Sequence, residues 1–190
     1  MDHFVFLFPD KRHVYADNAL AHMDTCGILE YFQQFNECIQ KRYSDKNFQI
    51  NHVLMRGDRI CDKIYRRKDD SILFADISYN DMLTFYKTNK NYHIDTKNIL
   101  SQLSGNIDRL VVGGYLLSDC VEKFAEDSFD LGLDVLVDED LTDLFSRFRK
   151  SRNFKTNDYP TFNLASLGYY AINDYLEYRK DKPWLWQTFF

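Results

Sequence analysis

The stretch from Asp108 to Asp140, DRLVVGGYLLSDCVEKFAEDSFDLGLDVLVDED, decides the fold. It opens on a short apolar run, Leu110 to Gly113, and turns through Gly114. A helical pattern follows, carried by Val121, Phe124, Ala125 and Leu131. Gly132 stands just past that pattern, where helices often take their C-terminal cap. A second apolar run, Leu133 to Val137, closes the unit. Strand, helix and strand at this spacing make a parallel pair with a crossover helix.

Working outward, the alternation continues. Phe4 to Phe8 is an apolar run closed by Pro9-Asp10-Lys11-Arg12, which reads as a turn. His13 to Ala16 is predicted as a second short strand. Ile28, Phe32, Phe35 and Ile39 recur at helical spacing and predict an amphipathic helix over 26–43. INHVLM, residues 50–55, reads as a strand, and the charged stretch 56–70 as a solvated connection. MLTFY, residues 82–86, reads as another strand. Thr96 can cap a short helix carrying Ile99, Leu100 and Leu103. Residues 141–148 and 164–178 carry helical patterns, and the apolar tail PWLWQTFF, residues 183–190, is expected to pack on the domain or on a second subunit. Strands alternating with helices predict one α/β domain over 1–190, with a mostly parallel, doubly wound sheet between helical layers.

Composition narrows the function. The 190 residues hold 24 Lys and Arg against 29 Asp and Glu, a net charge of −5. An acidic chain is poorly suited to general nucleic-acid binding, which needs a basic surface. No apolar run approaches the roughly 20 residues that span a bilayer. The sequence shows no basic-then-apolar leader, so a cytoplasmic location is expected. Four cysteines, Cys26, Cys38, Cys61 and Cys120, form no CxxC pair and read as free thiols.

One of the four has a chemical context. Cys120 follows a strand and a turn, with Ser118 or Asp119 placed to cap the next helix. Unpaired backbone N–H groups in a first helical turn favour a thiolate and can hold an oxyanion. A lone cysteine is also often a small buried hydrophobe, which is how Cys38 reads on its helix.

At these residues the chain resembles the isochorismatase-like cysteine hydrolases, which include nicotinamidases and N-carbamoylsarcosine amidases. Gly114, five residues and Cys120-Val121 match the family's pattern, as do Ala125, Asp127, Phe129, Gly132 and the closing strand VLVDED. The resemblance covers roughly residues 11–145. It implies a three-layer fold and hydrolysis of a small amide, ureido or imide-like C–N bond through a thioester on Cys120. It implies a catalytic lysine at the end of the strand before the Thr96 helix. Lys87 ends MLTFY nine residues before Thr96 and takes that place, with Lys90 a near competitor. It also implies an aspartate at the end of the first strand. Asp17, after His13 to Ala16, is the candidate; Asp10 is the alternative, set back because Pro9 is disfavoured in a central strand. The Leu116 and Cys120 N–H groups would form the oxyanion hole, with Tyr115, Leu116 and Leu117 lining the pocket. The family's homodimers and homotetramers extend the expectation to an oligomer, with a small-molecule substrate and neither nucleic acid nor membrane as partner. No cofactor is implied. Some members bind zinc, but RGDRICD, residues 56–62, has no histidine, and His22, His52 and His93 are scattered, so no metal is expected. Two other readings stand beside the hydrolase: an inactive binding or assembly module of the same fold, and a redox sensor on Cys120.

Overall fold

The computed structural model describes residues 1–16, 25–88, 94–115, 120–142 and 180–184. Their order is β1 (Asp2–Leu7), α1 (Lys11–Ala16), α2 (Thr25–Arg42), β2 (Gln49–Arg56), β3 (Ser71–Ser78), α3 (Tyr79–Lys87), α4 (Thr96–Ser101), β4 (Arg109–Gly114), α5 (Glu122–Asp130) and β5 (Val135–Thr142). The five strands form one sheet in the order β3-β2-β1-β4-β5. Every strand pairing is parallel. The α/β expectation holds.

The first strand is central, and its alternation builds both cores. Val5 and Leu7 face a cluster with Val53, Met55, Val112 and Phe124. Helices α3, α4 and α5 supply Met82, Ile99 and Ala125 to it. Phe4 and Phe6 face the other way, onto Phe32, Phe35 and Ile39 of α2. A fully buried ring of this kind contributes roughly 2–3 kcal/mol. Helix α2 is also fastened to the far edge of the sheet. Arg42 Nη1 donates to both oxygens of Asp138, at 2.7 and 2.8 Å, and the Tyr43 hydroxyl donates to the same carboxylate.

Three local expectations are corrected. His13 to Ala16 is not a strand; it lies in α1, because Asp10 Oδ1 accepts the N–H groups of Arg12 (2.9 Å) and His13 (3.2 Å) and starts a helix. MLTFY is not a strand but lies in α3. Ser78 and Asp81 bond reciprocally there, Asp81 N–H to Ser78 Oγ and Ser78 Oγ to Asp81 Oδ2. The third strand is instead SILFADIS, whose Leu73, Ala75 and Ile77 alternate inward. Thr96 is the first helical residue of α4, and Asp95 is its cap, accepting from the Asn98 N–H at 3.0 Å.

Two further patterns meet the structure in part. Leu141 and Thr142 complete β5 rather than begin a helix. The rest of that pattern, the pattern at 164–178 and residues 185–190 lie outside the described residues. The tail as far as Trp184 packs on its own core: the Trp184 carbonyl accepts the Val137 N–H at 2.7 Å, and the ring is buried near Phe129.

Candidate active site

Strand order locates the site. From β1 the chain runs outward through β2 to β3, and then returns to β4 on the other side of β1. The crevice between the carboxyl ends of β1 and β4 is therefore the topological switch point, where open parallel sheets bind ligands. The two ends meet closely. Leu7 is in register with Gly114, and the Tyr115 N–H donates to the Leu7 carbonyl at 3.1 Å. Gly114 has φ 119°, and a Cβ there would lie 2.1 Å from that carbonyl oxygen. Only glycine fits this approach.

The exit from β1 is unusual. Phe8 has φ 55°, in the left-handed region that side chains other than glycine rarely adopt. The turn breaks the alternation, so Leu7 and Phe8 lie in the same core cluster. It is pinned by the Phe8 N–H to the Val53 carbonyl and the Cys61 N–H to the Pro9 carbonyl, both 2.8 Å. Asp10 follows, with its side chain 3% exposed. Its Oδ2 lies 2.6 Å from Nδ1 of His13, whose side chain is 17% exposed. Burial pushes the Asp10 carboxyl up, but the hydrogen bond and charge of His13 and the two backbone N–H groups outweigh it. The carboxyl lies below its ordinary range. The His13 ring stacks on Phe8 at 5.2 Å and meets Tyr79 edge-on at 6.1 Å. The Arg12 guanidinium lies 3.9 Å from the Tyr79 ring centroid and pairs with Asp58.

The exit from β4 carries the cysteine. Cys120 and Val121 lead into α5 through a π-helical turn, a feature often found at functional sites. Cys120 is 6% exposed and belongs to the same cluster as Phe8, Met82 and Ile94. Tyr79 packs against that cluster too. Cys120 and the ring on which His13 stacks, Phe8, therefore belong to one cluster, and each follows one of two adjacent strands in the chain. Tyr115 belongs to the opposite cluster, where its ring lies 6.1 Å from Phe6. Leu116, Leu117 and Asp17 lie outside the described residues.

The end of the first strand, where the resemblance places an acid, is the end of β1, and the carboxylate nearest to it in the chain is Asp10. Asp17 lies beyond α1. The end of the third strand is Ile77-Ser78, with no basic residue. Lys87 is exposed at the last turn of α3, roughly 12 Å along the helix axis from Tyr79. Sequence reading passed over His13, whose signal was an aspartate three residues before a histidine, just past an apolar strand. Among the described residues no group of three His, Cys, Asp or Glu side chains could hold a metal ion. No described helix is long and apolar enough to cross a membrane.

No family model matches the sequence, and no curated protein matches it. Solved structures do resemble it. The crystal structure of an isochorismatase family protein superposes with a TM-score of 0.51 at 13% identity, covering 97% of this chain and 95% of that one. The pyrazinamidase of Pyrococcus horikoshii, solved in complex with zinc, gives a TM-score of 0.53 at 13% identity, covering 97% and 96%. The chain has the isochorismatase-like α/β fold, at a sequence distance where the likeness speaks for the fold.

Proposed function

We propose that the protein is a hydrolase that cleaves a small amide, ureido or imide-like C–N bond, with Cys120 as its nucleophile. The observation that supports this most directly is the position of Cys120. It leads into α5, the helix that follows β4, and is buried in the same cluster as Phe8, the residue at the exit from β1. The reaction is thioester formation on Cys120 followed by hydrolysis. Its acid–base group belongs to the segment after β1, where Asp10 stands. Lys87, exposed at the end of α3, is a poor source of the charge that steadies the thiolate.

The test is release of ammonia or amine from a panel of small amides and ureido compounds. Cys120→Ala is expected to lose at least about a thousandfold in rate, as nucleophile deletions do. Lys87→Ala is expected to stay within about twofold of wild type, since an exposed lysine remote from the strand ends touches no reacting atom. Turnover that survives Cys120→Ala would overturn the reading.

One observation favours a second reading. The carboxyl end of β3, Ile77-Ser78, has no basic residue where the resemblance expects the catalytic lysine. A domain of this fold that had lost catalysis and served as a binding module would look the same there. The same panel separates the two, because the module releases no amine from any compound.

A further inference from the structure

We infer that His13, oriented by Asp10, is the proton acceptor and donor for Cys120, and that its imidazolium takes the part of the lysine missing from the end of β3. The inference deepens the hydrolase reading and rests on it.

The geometry of the pair is that of an oriented imidazole. Asp10 is nearly enclosed, and its two oxygens have separate tasks: Oδ1 takes two backbone N–H groups, and Oδ2 faces His13 Nδ1 at 2.6 Å. An ionised carboxylate can only accept, so the proton at this contact belongs to Nδ1. That fixes the tautomer in which Nε2 carries the free lone pair. Two rings hold the imidazole plane, Phe8 by stacking and Tyr79 by its edge. Both belong to or pack on the cluster that contains Cys120. The strained φ of Phe8 puts its ring on that face, which is how backbone strain is commonly spent at active sites. Beside the pair, Arg12 and Asp58 form an ion pair of opposite charges.

The chemistry balances without another reactant. Nε2 accepts the Cys120 thiol proton, and the thiolate adds to the substrate carbonyl carbon. As the C–N bond breaks, the imidazolium returns that proton to the leaving nitrogen, and a thioester remains. Water then gives one proton to Nε2 while its oxygen attacks the thioester. The C–S bond breaks, and the sulfur recovers its proton from Nε2. Asp10 acts through His13 throughout and is a positioning residue.

The experiment is the rate of Cys120 carbamidomethylation by iodoacetamide against pH, read by peptide mass spectrometry on the full chain. Wild type is expected to react with a midpoint at least one pH unit below that of His13→Asn, with Asp10→Asn between them. Superimposable profiles overturn the inference. His13→Asn can disturb α1, so a second measurement leaves His13 in place. The NMR titration of the His13 ring is expected to move by half a unit or more between wild type and Cys120→Ser, and an unmoved titration overturns the pair. The hydrolase reading fails separately. Coupling between His13 and Cys120 with no amide turned over keeps the pair and removes the hydrolase. Acylation of Cys120 at an equal rate in His13→Asn keeps the hydrolase and removes the pair.

Discussion

Asp70 and Asp10 are buried carboxylates held in their ionised form by neighbours, and they give the fold its dependence on pH. Burial pushes the Asp70 carboxyl up. His52, 3.6 Å away, and the Arg67 N–H and guanidinium (2.7 and 2.8 Å) more than offset that, so it titrates below its ordinary value of 3.8. A depressed folded value means the stabilisation is fully present above the unfolded value and is lost as pH falls through the folded one. Urea midpoints are therefore expected to be flat from about pH 5 to 7 and to fall below about pH 4, more steeply in wild type than in Asp70→Asn. Asp70→Asn should itself cost roughly 2–4 kcal/mol at pH 7, because it leaves Arg67 and His52 beside a neutral group. A variant as stable as wild type at pH 7 would show that the cluster holds nothing. At this scale the passage from β4 into α5 was legible from an apolar strand and a glycine, and the exit from β1 was not. Pro9 argued against a strand that in fact ends at Leu7, before the proline, so the rule about proline was sound and its application was two residues off.

The elements show why some of the sheet was legible and some was not. Parallel strands buried on both faces are nearly continuous apolar runs, and β1, β2, β4 and β5 could be read on that basis. Strand β3 lies at the edge. Its outward positions, Phe74 (44% exposed) and Asp76, break the run, and residues 71–78 were not read as a strand. Its free edge is blunted by Gln102, whose side chain accepts from the Phe74 N–H (3.1 Å) and donates to the Phe74 carbonyl (3.0 Å). Helix α3 was hidden for a different reason. MLTFY is β-favouring in composition, and only the Ser78–Asp81 capping pair ahead of it reveals the helix. Gly114→Ala forces a Cβ against the Leu7 carbonyl at a φ that L-residues avoid, so it is expected to cost at least about 2 kcal/mol. Urea unfolding measures that cost. A neutral Gly114→Ala would mean that β1 and β4 are not pressed together, and the crevice between them would lose its geometry.

For the whole molecule, a parallel sheet with helices on both faces leaves its chemistry at one end, and the order of strands selects the crevice beside β1. The likeness to solved isochorismatase-type structures spans nearly the full chain at 13% identity, and at that distance it speaks for the fold alone. Among the described residues no lysine stands at the end of β3, while the Asp10–His13 pair follows the end of β1. The proposed function requires that Cys120 form a covalent bond with a substrate carbonyl. Intact-protein mass spectrometry after brief mixing with the panel of small amides and ureido compounds tests this most directly. Wild type is expected to gain the mass of one acyl group and lose it again with time, and Cys120→Ala is expected to gain none. An acyl adduct on Cys120→Ala, or no adduct on wild type with any compound together with an ordinary thiol profile for Cys120, would contradict it.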